Sequence, residues 1–201
     1  AMKLGQIRVA RRTGPRGLGH AYRFGFERGL DEGFETLVEM DADLSHDPRD
    51  LPVIIQAVND GAELAIGSRY VEGARSEYTF SRKLLSRTAN ALARLLLGFP
   101  LHDTTTAYRG YRRNLLERLP IDQIRSEGYS FFVESLFFVS RITRKLAELP
   151  IHFEDRRAGV SKINKKEILK GVVTLFRLFF MRLTRSSAIP VRVTHPARVR
   201  Q

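Results

Sequence analysis

The chain has 201 residues, 43% of them hydrophobic and 28% charged, the composition of a folded globular protein and not of a disordered one. It contains no cysteine, which excludes disulfides, thiolate zinc sites and a cysteine nucleophile within this sequence. Its net charge is +12, and nearly all of the excess lies at 156–201, where twelve Lys/Arg face one acid, Glu167; such a stretch suits an anionic membrane face, a phosphorylated substrate or nucleic acid.

Short β-like runs alternate with helical periods along the chain, which predicts an α/β protein. Residues 7–10 read as a strand, followed by a turn-rich loop with Gly14, Pro15, Gly17 and Gly19 and a helix over 20–30. Residues 36–40 read as a strand running into Asp41. Pro48 suits the first position of a helix capped by Asp47, and Leu51, Ile54, Ile55 and Val58 continue it at helical spacing. A strand at 64–67, a strong helix at 82–97 stopped by Gly98 and Pro100, a strand at 107–112 and a short helix at 114–119 come next. Residues 131–144 read as helix and 149–154 as extended chain. The last helix, 165–185, sets Lys166, Lys170, Thr174 and Arg177 in one polar stripe against a wide Leu/Val/Phe face that includes Phe179 and Phe180. After Ser186 the chain reads as irregular. No apolar run reaches the roughly 18–20 residues that cross a bilayer.

The sharpest chemical signal is Met40-Asp41-Ala42-Asp43-Leu44-Ser45-His46-Asp47-Pro48. Two carboxylates one residue apart, just beyond a strand, offer hard oxygen ligands suited to Mg²⁺ or Mn²⁺, and ligand sites of open α/β sheets lie at this edge. The alternative is an acidic loop whose Asp47 caps the next helix. Arg69, in Gly67-Ser68-Arg69-Tyr70, reaches the same edge, either as a planar phosphate clamp or as a surface ion pair. Arg82 and Ser86 are four apart in the first turns of a helix, where backbone N–H groups favour an anion; an ordinary basic face has the same spacing. A glycine-containing loop with Arg156, Arg157 and Lys162 can fold over a phosphate, as many basic loops can. Asp103 and Thr104 to Thr106 either serve a substrate or form an exposed turn. The five histidines show no metal-ligand spacing.

Taken in order, Gly17-Leu18-Gly19 with Ala21-Tyr22, the run 40–48, residues 67–70, 81–87, 104–111 and 155–162 resemble the polyprenol-phosphate (dolichyl-phosphate) mannose synthases, inverting family 2 glycosyltransferases. The resemblance spans about 9–182, and its specific parts are the run 40–48 and the Arg156…Lys162 spacing. It implies a GT-A-like, Rossmann-like α/β fold over 1–160. The family's N-terminal strand–helix–strand, which holds guanine and ribose and carries a Pro-x-Tyr-Asn-Glu-like segment, has no counterpart, so this lobe is expected to be N-terminally incomplete. An amphipathic, membrane-surface helix at 161–185 and a basic irregular tail at 186–201 are expected to follow.

The implied activity is transfer of mannose from GDP-mannose to a polyprenyl (dolichyl) phosphate, with inversion and with Mg²⁺ or Mn²⁺. Asp41, Asp43 and Arg69 form the implied catalytic set. Asp41, Ala42 and Asp43 would meet the donor diphosphate and metal, with Ser45 placed to give a further ligand. Arg69, Arg156 and Lys162 would contact the donor phosphates, Arg69 also reaching toward the acceptor, while Arg82 and Ser86 would hold the acceptor phosphate. The chemistry fits the inventory: a phosphate nucleophile is already anionic at neutral pH, so no strong general base is needed, and the demanding step is departure of the nucleoside diphosphate. Glucose transfer to the same lipid class, or a catalytically impaired lobe that binds a membrane or partner, are the other readings. Nucleic-acid binding lacks a recognition motif and an aromatic stacking pattern. The expected location is peripheral, at the cytoplasmic face of a membrane. An unpaired sheet edge leads to the expectation of a homo-oligomer or of poor solubility.

Overall fold

The computed structural model describes residues 7–154, 165–184 and 193–194. Its elements run α1 (Leu18–Asp31), β1 (Thr36–Glu39), a 3₁₀ turn (Pro48–Asp50) leading into α2 (Leu51–Asn59), β2 (Leu64–Ser68), β3 (Arg75–Ser76), α3 (Phe80–Leu97), β4 (Arg109–Arg112), α4 (Arg113–Arg118), α5 (Ser130–Ser140), β5 (Leu146–Pro150), β6 (His152–Phe153), α6 (Lys165–Thr184) and β7 (Val193–Thr194). The main sheet has the order β1-β4-β2-β5-β7. Strand β4 lies antiparallel to both β1 and β2, whereas β5 runs parallel to β2 and β7 parallel to β5. Strands β3 and β6 form a small parallel pair beside it.

The sheet is covered on both faces, which explains why β2 reads as a continuous apolar run. Leu64 and Ile66 enter the larger core with Phe26, Tyr111, Leu115 and Phe131, while Ala65 turns to a second cluster with Ile54, Val58, Tyr108 and Leu149. Helix α5 is buried almost all round, from Phe131 to Val139, as expected of a segment apolar on every side. Helix α6 packs on α3 and α5.

Several expectations hold closely. Asp47 accepts the Arg49 N–H at 2.9 Å and starts the turn into α2. Gly98 ends α3 with φ 73°, a left-handed conformation that favours glycine, and its N–H reaches Arg94 O at 2.8 Å. Others differ. Residues 7–10 form no strand; Ile7 and Val9 are exposed, and β-forming side chains make a strand only where a neighbour offers a ladder. Helix α5 stops at Ser140, whose hydroxyl bonds back to Phe137 O at 2.8 Å, so 141–144 leaves the helix before β5. The extended stretch at 149–154 is the end of one strand and a second short one. Within the tail read as irregular, Val193–Thr194 pairs with Leu146 and Ala147 of β5, whose far edge offers unpaired backbone.

The N-terminal turn of α1 is pressed onto the loop before α5. The Gly19 N–H donates to Glu127 O at 3.0 Å, and a Cβ on Gly19 would stand 2.5 Å from the Ser126 carbonyl oxygen. In the same helix a Cβ on Gly25 would meet nothing within 4 Å. The two positions therefore predict opposite signs in urea unfolding. Gly19→Ala should lower stability by about 1–3 kcal/mol through overpacking, and Gly25→Ala should raise it by up to ~1 kcal/mol through helix propensity.

Candidate functional site

The C-terminal ends of β1, β2 and β5 meet the loop that enters β4, and the chemical residues gather there. Beyond β1 the chain forms a tight turn over Asp41 to His46. Ser45 donates to Asp43 Oδ1 twice, from its N–H at 3.1 Å and from its hydroxyl at 2.5 Å. Leu44 takes φ 66°, uncommon for a residue with a Cβ, so the turn is held by its surroundings. His46 is one of those surroundings. Its Nδ1 accepts the Asp41 N–H at 3.1 Å, and its ring lies against Tyr108 and Phe153 with centroids 5.0 and 5.4 Å away. Burial, reinforced by the nearby Arg69 charge, lowers its pKa to about 4. The ring is thus neutral, with its proton on Nε2. Glu154 N–H closes the turn on Ser45 O at 3.1 Å.

Asp41 and Asp43 remain partly exposed on this pinned turn, with Ala42 exposed between them. Two carboxylates and a serine hydroxyl are a hard-oxygen set that fits Mg²⁺ or Mn²⁺. Among the described residues no cluster of three or more His, Cys, Asp or Glu forms a metal cage. A cation at this turn would therefore draw other ligands from solvent or from a bound phosphate. Beneath it, Glu39 accepts from Tyr111 at 3.0 Å and lies 3.8 Å from Arg109; burial pushes its pKa up to about 8.

Arg69 is buried, with its fork turned inward. Nε and Nη2 bind Asp103 Oδ2 and Oδ1 at 2.7 and 2.8 Å, Nη2 also reaches Thr105 at 2.9 Å, and Nη1 donates to the Tyr78 hydroxyl at 2.7 Å. The guanidinium carbon lies 5.5, 5.5 and 5.3 Å from the ring centres of Tyr70, Tyr78 and Phe153. Burial works against both charges of the pair. Their mutual attraction and hydrogen bonds outweigh it, keeping Asp103 below the usual carboxylate range and Arg69 firmly protonated. Asp103 and Thr104 are thus part of the interior and not an exposed turn. Glu148 on β5 accepts the backbone N–H groups of His102 and Asp103 at 2.8 Å each. Arg109, fully buried, donates to Thr104 O, Thr106 O and Phe132 O at 2.9–3.0 Å.

Helix α3 brings Arg82 and Ser86 to this assembly. The Arg82 guanidinium lies 4.2 Å from the centre of the Tyr78 ring, and the Tyr70 hydroxyl donates to Ser86 Oγ at 2.6 Å. Asn90, one turn further, fixes the helix to the loop. Its Oδ1 accepts Thr104 N–H at 2.6 Å and the Thr104 hydroxyl at 2.8 Å, and its Nδ2 donates to Ser86 O at 3.0 Å. The structure thus brings Asp41, Asp43, Ser45, Arg69, Arg82 and Ser86 to one edge, while Arg156 and Lys162 lie outside the described residues. Sequence reasoning did not pick out His46, Tyr70, Tyr78, Asn90 or Glu148 for their own roles. His46 and Tyr70 carry a signal only as members of the quoted motifs. Asn90 was legible as a polar residue four beyond Ser86 on one helix face.

The model of "Glycosyl transferase family 2" matches residues 1–120. The chain is 43% identical over 168 residues to the polyprenol monophosphomannose synthase of Mycolicibacterium smegmatis, covering 83% of this chain and 63% of that protein. It is 41% identical over 172 residues to the undecaprenyl-phosphate mannosyltransferase of Micrococcus luteus, covering 85% and 70%. The chain thus spans about two thirds of the length of these relatives. Among solved structures, glucosyl-3-phosphoglycerate synthase from Mycobacterium tuberculosis with UDP superposes with a TM-score of 0.57 at 18% identity, over 94% of this chain and 66% of that one. The same enzyme with Mn²⁺, UDP-glucose and phosphoglyceric acid gives 0.53 at 18% identity, over 94% and 65%. These structures share the GT-A fold.

Because Asp103 compensates a buried guanidinium, Asp103→Asn should cost about 3–5 kcal/mol in urea unfolding at pH 7. The depressed carboxylate also sets a pH window. Its stabilisation is complete above the unfolded carboxylate value, about 3.9, and fades as the pH falls through the lower folded value. The gap between the native protein and the variant should hold steady from pH 7 to about 5 and narrow below about 4.

Proposed function

Since the chain belongs to glycosyl transferase family 2, we propose that it transfers mannose from GDP-mannose to a polyprenyl phosphate, with inversion at the sugar carbon. The observation that carries this reading is the meeting, at one sheet edge, of the Asp41–Asp43 turn with the Arg82–Ser86 face of α3, in a chain more than 40% identical to two polyprenyl-phosphate mannosyltransferases. The acceptor phosphate oxygen forms a bond to the sugar carbon as the bond to the diphosphate oxygen breaks, and the electron pair leaves on the diphosphate. Arg82 and Ser86 hold the acceptor phosphate in line. Asp41 and Asp43, fixed by Ser45 and His46, would hold Mg²⁺ or Mn²⁺, which supplies positive charge to the leaving diphosphate. Arg156 and Lys162 add cationic charge to the donor side. Arg69, whose charge is matched by Asp103, holds the loop before β4 and Tyr78 in place beside the site. The Asp43→Ala variant should lose Mn²⁺ binding in a paramagnetic resonance titration and lose lipid mannosylation by at least about a hundredfold; transfer at the native rate would overturn the assignment.

The lipid acceptor also requires a membrane surface, and α3 with α6 offers one. No helix among the described residues is long and apolar enough to cross a membrane. The polar stripe of α6 is partly internal: Thr174 is buried and Arg177 pairs at 2.7 Å with the buried Glu134. Leu175 and Leu178 join the core beside them and Met181 packs against it, while much of the Leu/Val/Phe surface faces outward. Phe180 is 61% exposed and Leu95 of α3 78%, with Leu169, Val173, Phe176 and Leu183 also exposed. An exposed apolar surface next to Lys166 and Lys170 suits an interfacial position against anionic headgroups. Phe179, in contrast to its neighbour, packs on the core. Phe176→Asp with Phe180→Asp should therefore release the protein from vesicles containing anionic lipid by about tenfold or more, with unchanged far-ultraviolet circular dichroism. Undiminished vesicle binding would exclude this face.

A further inference from the structure

Two tyrosines of the segment between β2 and α3 each engage one of the two α3 side chains placed at the acceptor phosphate. The Tyr78 ring lies under the Arg82 guanidinium at 4.2 Å, and the Tyr70 hydroxyl donates to Ser86 Oγ at 2.6 Å. Both rings in turn flank the buried Arg69 guanidinium, each with its centre 5.5 Å away, and the Tyr78 hydroxyl accepts from Arg69 Nη1 at 2.7 Å. Resting on the function proposed above, we infer that Tyr70 and Tyr78 are positioning residues that set Arg82 and Ser86 at a fixed spacing for the phosphate group of a polyprenyl phosphate.

The chemistry of each contact supports the role. A serine hydroxyl has one proton and two lone pairs. When Tyr70 donates to Ser86 Oγ, the serine proton is directed away from Tyr70 and is available to an anionic oxygen. A long, flexible arginine loses rotamer freedom whenever it binds a ligand. A guanidinium already stacked on an aromatic face has given up part of that freedom, so less is lost when the phosphate arrives. The Tyr78 ring is itself held edge-on against Phe153, with centroids 5.0 Å apart. The ring therefore has a support besides Arg82. Tyr78 offers two contacts, a face to Arg82 and a hydroxyl to Arg69; Tyr78→Phe removes the hydroxyl alone and Tyr78→Leu removes both, so comparing the two isolates the face.

Calorimetric titration with farnesyl phosphate, below its micellar concentration, reads the acceptor site directly, and Mn²⁺-GDP reads the donor side of the same preparations. Tyr78→Phe keeps the ring and should bind farnesyl phosphate within about twofold of the native chain. Tyr78→Leu should weaken it about tenfold, in line with a partly desolvated cation–π contact, and Tyr70→Phe about three- to tenfold, in line with one hydrogen bond. Both should leave Mn²⁺-GDP binding unchanged. In a double-mutant cycle, Tyr78→Leu should add less than twofold to the loss caused by Arg82→Ala, because the ring acts through that arginine. Native affinity in Tyr78→Leu and Tyr70→Phe, or losses that multiply fully with Arg82→Ala, would overturn the inference while leaving the acceptor assignment standing. Native affinity in Arg82→Ala would instead remove the acceptor assignment and the inference with it. Should Tyr78→Leu not fold, Tyr70→Phe, which deletes one oxygen, decides the matter through Ser86 alone.

Discussion

The arrangement at the sheet edge depends on the ion pair between Arg69 and Asp103. Each partner is buried, and a charge removed from water costs several kcal/mol unless its hydrogen-bonding capacity is met. Here it is met in detail. The carboxylate takes both arms of the fork, and two further guanidinium protons reach Thr105 and Tyr78. The chain around Asp103 is fixed in turn by Glu148, whose carboxylate caps two successive backbone N–H groups. The pair thus joins three segments distant in sequence: the end of β2, the loop before β4 and, through Glu148, the middle of β5. Asn90 extends the same network to α3 by binding Thr104.

Around this joint the site separates into two halves of opposite charge. Asp41 and Asp43 stand on a turn whose shape is enforced by Ser45, by the neutral ring of His46 and by the left-handed Leu44. Arg82 and Ser86 stand on a helix, held by aromatic rings and a buried amide. Carboxylates suit a cation and a diphosphate; a guanidinium and a hydroxyl suit a phosphate monoester. The first half is a turn pinned by its neighbours and the second is a helix, so each group is held by the fold.

Helix α6 shows how one buried charge can override an amphipathic pattern. Glu134 is enclosed within α5 and accepts the Ser126 N–H at 2.8 Å. Arg177 supplies its counter-charge from α6 at 2.7 Å. Drawing Arg177 inward rotates Thr174 into the interface and leaves much of the Leu/Val/Phe surface outside. The cost of an unpaired buried carboxylate exceeds the gain from hiding a few half-exposed apolar side chains.

The α/β alternation, the 3₁₀ turn that Asp47 and Pro48 start ahead of α2, the end of α3 at Gly98, and the identity of the acidic turn, Arg69 and the Arg82–Ser86 pair as chemical groups can all be read from the sequence alone. These are local properties: caps, periodicity, and carboxylate or cation spacing act over a few residues. What each group faces depends on how the chain closes on itself. Asp103 looked equally suited to a surface turn because its partner lies 34 positions away. Residues 7–10 have strand-like side chains but no ladder to join, and Val193–Thr194, in a stretch without local pattern, pairs with β5 because that edge is open to it. Tyr70 and Tyr78 carry no motif of their own; their roles exist only once α3 is folded back over the segment that precedes it. Burial and long-range pairing are sums over residues distant in sequence, and for that reason they appear only when the chain is closed on itself.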